Sequence, residues 1–213
     1  MHFNLSDEQI MVREAAREFA QTELLPGVIA RDEAQEFPDN LVKKMGALGF
    51  MGIMVSPKYG GSGMDTLTYA LIMEELSKVD ASASVMVSVN NSLVCYGLEA
   101  YGSDSQKEKY LPKLAAGEWI GAFCLSEPEA GSDATSQSTT AIDKGDYYLL
   151  NGTKNWITNG GRAQIYLVVA QTDRNKGHKG INAFILERDM PGFEVGPKEN
   201  KLGIRGSDTH TLQ

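Results

Sequence analysis

Cysteine is scarce in this chain, with only Cys95 and Cys124 among 213 residues. Each sits in an apolar run, the first helix-like and the second strand-like, and neither belongs to a C-x-x-C or Cys/His spacing. A disulfide framework is excluded, and both cysteines read as reduced, buried small hydrophobes in a reducing compartment. Histidine is nearly as rare. His2, His178 and His210 are scattered and make no ligand pattern, so no metal site is expected. No apolar run reaches membrane-spanning length, and the start shows no basic-then-apolar leader. Basic side chains are outnumbered 20 to 28, for a net charge of −8. That balance argues against a nucleic-acid partner, which needs a basic face, and against docking on an acidic membrane. The expectation is a soluble, cytoplasmic protein.

Several catalytic signatures are missing as well. Gly60-Gly61-Ser62-Gly63 lacks the G-x-G-x-x-G spacing, no strand clearly precedes it, and it lacks the Lys-Ser/Thr of a P-loop. On residues alone it is a tight inter-helix loop. No G-x-S-x-G elbow exists, and no Ser/His/Asp set stands out.

What is present is ordinary globular composition, 42% apolar and 23% charged, in a chain long enough for one large or two modest domains. The charge is uneven. Residues 1–118 hold 10 basic and 17 acidic side chains, against 10 and 11 in 119–213. The first stretch carries helical periodicity. Ser6-x-x-Gln9 is a capping box ahead of Ile10, Val12, Ala16 and Phe19, and Pro26 falls near that helix's end. Pro38 and Asp39 open a segment with Leu41, Val42 and Met45 on one face and Gly49 after its end. Asp65 caps a helix bearing Leu67 and Leu71, Ala81 to Gly97 suits a buried helix, and Ser103-x-x-Gln106 is a second capping box. After about Gly117 the period changes to 2. Asn151-Gly152 between Tyr147–Leu150 and Thr153–Thr158 predicts a type I′ hairpin, since both central residues would need positive φ. Ile165 to Gln171 and Ile181 to Leu186 are further strand-like runs. The expected fold class is α+β: an N-terminal all-α helical domain over residues 1–118, then an antiparallel β domain over 119–213. The last residues, Thr209 to Gln213, fall inside a strand-like run, so a truncated chain is expected.

Two polar segments could carry chemistry. Cys124-Leu-Ser-Glu-Pro-Glu-Ala-Gly-Ser-Asp133 lies where the helical pattern gives way to strands. Its hydroxyls, carboxylates and loop N–H groups could bind a planar heterocycle or polar chain in a cleft, or simply form a polar turn. In Lys154-Asn-Trp-Ile-Thr158, strand alternation puts Trp156 and Thr158 on one side. A ring beside a hydroxyl suits a flat aromatic ligand, and it equally suits a tryptophan packed in the β core.

These residues resemble a family. Cys124 to Ser136 closely resembles the long signature of acyl-CoA dehydrogenases, and Asn151 to Asn159 is similar to their second hallmark. Tyr59 to Asp65 and Lys201 to Ser207 are similar to shorter motifs in the expected order. Val89-Asn-Asn-Ser-Leu93 and the residues around Ile204 look closest to the short-chain, butyryl-type branch. The resemblance implies a β-barrel as the middle domain, a C-terminal four-helix domain absent from these residues, and FAD held without a Rossmann fold. It implies that Phe123, Cys124, Leu125, Ser126, Gly131 and Ser132 line the flavin, with Ser132 also on the pantetheine arm of the substrate. Trp156 would pack on the ring system, Ile157 would lie beside it, and Thr158 would hydrogen-bond near the hydride-accepting nitrogen. The implied reaction is α,β-dehydrogenation of a short-chain acyl-CoA to the trans-2-enoyl-CoA, with electrons passing to an electron-transferring flavoprotein and a homotetramer as the full-length assembly. The catalytic base is expected C-terminal to Gln213, and Glu127 is not expected to replace it. An oxygen-using acyl-CoA oxidase relative, or a non-catalytic flavin- or CoA-binding fragment, stay open as alternatives.

Overall fold

A computed structural model describes residues 4–213, which form two compact units. One takes in the chain to Trp119 together with Lys201–Ser207; the other comprises Ile120–Asn200 and Asp208–Gln213. The segment Lys201–Ser207, placed in the β domain by its position in sequence, thus groups with the helices. His2 lies outside the described residues.

In the first unit the caps fall where the side chains predict them. Helix α1 (Asp7–Phe19) starts at the Ser6 capping box, with Gln9 N–H on Ser6 Oγ at 3.2 Å and Ser6 N–H on Gln9 Oε1 at 3.0 Å. It runs on through a π-helical turn, Ala20–Leu24. A short α2 (Val28–Ala34) follows that no capping side chain announces. Helix α3 (Asp39–Ala47) buries Leu41, Val42 and Met45. Asp65 caps α4 (Thr66–Ser77), accepting Thr68 N–H at 2.7 Å. The apolar run that follows is α5 (Ala81–Ser88), a π-helical stretch Val89–Cys95, and α6 (Tyr96–Tyr101). Ser103 and Gln106 cap α7 (Asp104–Ala115). The glycine loop after α3 is held by ladder-like bonds, Ser62 N–H to Gly52 O (2.9 Å) and Gly63 N–H to Val55 O (2.8 Å). Buried Asn91 anchors its near limb: it accepts Ile53 N–H at 2.7 Å and donates to Phe50 O at 2.9 Å and Val87 O at 3.0 Å. These bonds satisfy backbone groups that burial would otherwise leave unpaired.

The second unit has eight strands: β1 (Gly121–Cys124), β2 (Thr140–Asp143), β3 (Tyr148–Asn151), β4 (Lys154–Thr158), β5 (Ile165–Gln171), β6 (Ile181–Glu187), β7 (Val195–Lys198) and β8 (Thr209–Leu212). They make a five-stranded sheet, β1-β5-β2-β3 with β6 on β5, and a three-stranded sheet, β4-β8-β7. The fold class is the expected one, with two corrections. Two sheets stand in place of a closed barrel, and the larger is mixed: β1 runs parallel to β5 from Gly121↔Ile165 to Cys124↔Val168. Side chains from both sheets fill one core, with Ala122, Cys124, Tyr166 and Val168 against Ile157 and Leu212.

The Asn151-Gly152 hairpin does not form. β3 pairs with β2, and β4 pairs with β8, so Asn151-Gly152 carries the chain from one sheet to the other. Glycine is required there by crowding, because a Cβ on Gly152 would strike Thr139. The hairpin lies one strand earlier, closed by Lys144 N–H to Tyr147 O at 2.9 Å with Gly145 at φ +92°.

Candidate functional site

The two polar segments meet inside the second unit. β1 ends at Cys124, whose side chain is fully buried in the core, and the chain then leaves the sheet. Glu127 to Ala130 closes a tight turn, Glu127 N–H to Ala130 O at 3.0 Å and Ala130 N–H to Glu127 O at 3.2 Å. Gly131, Ser132 and Asp133 follow on the exposed side, and Asp133 accepts the hydroxyls of Ser136 and Thr135, which hold its carboxyl below the usual range.

β4 is bonded to this loop residue by residue. Asn155 N–H donates to Ser126 O at 2.8 Å, and Lys154 Nζ donates to Leu125 O at 3.0 Å, Glu127 Oε1 at 2.7 Å and Gln137 Oε1 at 3.1 Å. Glu127 also accepts Ser138 N–H and Oγ–H and Thr139 N–H. Both members of the ion pair are buried, their side chains 4% and 1% exposed. Burial opposes the charge on Glu127, but the donors from Lys154, Thr139 and Ser138 outweigh it and hold the carboxyl at about 2. Burial draws Lys154 below the ordinary lysine range, against the pull of Glu127. Lys154, Gln137, Ser138 and Thr139 were not singled out by sequence pattern. The available signal was the pair of charge types, a lysine inside a strand and a glutamate beside a proline, neither of which is buried without a partner.

Trp156 sits on a bulge. β4 pairs at Lys154↔Leu212 and again at Ile157↔His210, so it carries one residue more than β8 between those points, and Trp156 takes φ +61°. The extra residue lets Lys154 and Ile157 both turn inward and leaves Trp156 62% exposed. A tryptophan packed in the β core is thereby excluded. Left-handed backbone at a bulky residue costs about 1 kcal/mol or more. The fold thus holds a large ring in solvent at some expense, which is what a stacking surface requires.

The predicted residues divide accordingly. Trp156, Thr158, Leu125, Ser126, Gly131 and Ser132 are exposed or half-buried, and Phe123 is half-buried. Cys124 and Ile157 point into the core, so only their backbone could meet a ligand. Among the described residues, Ser126 N–H and the hydroxyls of Ser126, Ser132 and Thr158 make no hydrogen bond within the chain. An exposed indole with unbonded donors on the adjoining loop fits a flat heterocycle with polar edges. Neither Glu127 nor Asp133 is poised to take a proton near neutral pH, since the first is locked in its ion pair and the second in its hydroxyls. Among the described residues no group of three His, Cys, Asp or Glu could hold a metal, and no helix is long and apolar enough to cross a membrane.

Comparison with known proteins agrees along the whole chain. Residues 6–118 match the acyl-CoA dehydrogenase N-terminal domain and residues 122–213 the acyl-CoA dehydrogenase middle domain. A short-chain specific acyl-CoA dehydrogenase of Clostridium acetobutylicum is 49% identical over 212 residues, 100% of this chain and 56% of the relative. The solved butyryl-CoA dehydrogenase of Megasphaera elsdenii superposes with a TM-score of 0.95 at 44% identity, over 100% of this chain and 56% of the other. A chain from work on the electron transferring flavoprotein of Acidaminococcus fermentans and flavin-based electron bifurcation superposes at 0.97 with 48% identity, over the same shares. The chain spans about half the length of the curated relatives it matches.

Proposed function

The chain belongs to the acyl-CoA dehydrogenase family, and on that premise we propose that its protein converts a short-chain acyl-CoA to the trans-2-enoyl-CoA and passes the electrons to an electron-transferring flavoprotein. The observation that carries the flavin site is Trp156, held out of the core on a bulge and tied through Asn155 to the Leu125–Ser126 loop. Members of the family bind FAD, which when bound supplies the two-electron acceptor for the hydrogen leaving the β carbon. In this chain Trp156 gives the ring a stacking face, while Ser126 N–H, Ser126 Oγ and Thr158 Oγ offer hydrogen bonds at its edges. Phe123, Leu125, Gly131 and the backbone of Cys124 and Ile157 complete the lining, and Ser132 also meets the pantetheine arm.

The α C–H of a thioester is weakly acidic, so its removal needs a base and donors that stabilise the enolate oxygen. Glu127 cannot be that base at neutral pH, because its carboxyl already accepts three groups and an ammonium. The resemblance to the family assigns the base instead to a residue C-terminal to Gln213. Two buried, unpaired thiols support a cytoplasmic setting, and a homotetramer is the assembly carried over from the resemblance.

Anaerobic addition of butyryl-CoA to the protein that carries this chain, followed at the visible flavin bands, tests the reading. Bleaching supports it, and flavin that stays oxidised in a protein with its base-bearing segment present refutes it. Rapid peroxide formation in air would reassign the acceptor to oxygen.

A further inference from the structure

Lys154 does more than neutralise Glu127. Its ammonium donates to Leu125 O at 3.0 Å, and that carbonyl belongs to the same peptide as Ser126 N–H. A cation on a peptide oxygen polarises the peptide and strengthens its N–H as a donor. The Ser126 N–H makes no hydrogen bond within the chain, and the carbonyl of the next peptide, Ser126 O, is pinned by Asn155 N–H at 2.8 Å. The peptide is therefore fixed in orientation as well as polarised. The same ammonium reaches Gln137 Oε1 at 3.1 Å, so it also ties the return limb of the loop to its start. The buried Gln137 Nε2 and Thr139 Oγ1 beside it find no partner within the chain, which leaves the ammonium as the group that organises this corner.

We infer that Lys154 is a positioning residue for the flavin site, delivering positive charge through the Leu125–Ser126 peptide to the heterocycle and thereby raising its affinity for electrons. This deepens the flavin reading above and rests on it. Ser126 N–H is the contact, Lys154 acts through it, and Glu127 keeps the ammonium charged and in place.

The test compares the wild-type protein that carries this chain with its E127Q/K154M variant. The double change removes both charges at nearly constant volume, so it leaves no lone buried charge to unfold the domain. With FAD bound, the variant's flavin should be reduced at a more negative potential, and its FAD affinity should fall about tenfold, one hydrogen bond's worth. Independently of flavin, the Ser126 amide proton resonance should move upfield, and amides of 126–139 should exchange faster. An unchanged Ser126 resonance and unchanged exchange in a folded variant would overturn the inference, as would an unchanged potential. If the wild-type protein that carries this chain fails to hold FAD, the flavin reading falls, and the Ser126 resonance and exchange still decide whether Lys154 polarises and orders the loop.

Discussion

Removing Lys154 alone should have a large and pH-dependent cost. In Lys154→Met the Glu127 carboxylate, 4% exposed as a residue, keeps its bonds from Ser138 and Thr139 but loses its counter-charge. Stranding one member of a buried pair costs about 3–5 kcal/mol. The pH dependence follows from the folded and unfolded states of Glu127. Its folded carboxyl lies at about 2, well below the ordinary 4.5, which makes it a group whose stabilisation is full above the ordinary range and lost as pH falls toward 2. A depression of that size is worth about 3 kcal/mol. Without the ammonium, burial is less opposed and the folded value moves upward, so acid costs the variant less stability than it costs the wild type. The gap should be widest at pH 7 and should shrink by pH 4. Two units need not unfold together, so the assay is urea denaturation in a Trp119→Phe background, where Trp156 reports the β unit alone. A difference below about 1 kcal/mol at pH 7, the scale of an exposed pair, would refute the claim that this pair is buried and coupled. So would a difference that does not narrow with acid.

Trp156→Gly should leave the β unit as stable as wild type or up to about 1 kcal/mol more stable, because glycine takes φ +61° without strain and the indole buries little. It should abolish flavin retention nonetheless, and urea curves read beside FAD titrations separate the two effects. A variant that unfolds would show that Trp156 is structural after all. Asn91→Leu leaves Ile53 N–H and the carbonyls of Phe50 and Val87 without their partner in a buried place. At about 1–3 kcal/mol for each unsatisfied group, the helical unit should lose several kcal/mol, seen as a lower thermal midpoint by circular dichroism. A midpoint within a degree or two of wild type would mean that water reaches that loop.

The helical half was legible because its signals are local. Ser6, Asp65 and Ser103 bond donors three residues on, so each cap is written within one turn of sequence. The short α2 carries no such signal, since Gly27 stands at its start without a capping side chain. The π-helical turns at Ala20–Leu24 and Val89–Cys95 sit inside helical periodicity that gives no sign of an extra residue. In the β half, strand positions could be read, but their partners could not. β1 lies parallel to β5 across more than forty residues, and no feature of either segment specifies the other. Asn151-Gly152 misled for a physical reason: glycine serves close approach as well as positive φ, and here the approach to Thr139 is what it serves.

The same distinction between local and distant partners explains the site. Trp156 could be picked as a ring with a hydroxyl nearby, yet strand alternation alone would have placed it on the face of Lys154, which is buried. The bulge separates the two, letting one face inward to hold the loop while the other faces outward to meet a ligand. Glu127 shows the converse. Within its own segment it is a carboxylate on an accessible-looking loop, and its chemistry is decided by an ammonium 27 residues away. A lysine at the start of a strand and a glutamate after a strand's end are each improbable buried residues alone, and together they are a pair. Reading such residues jointly, as charges that must find one another, would have linked the two polar segments before any fold was known.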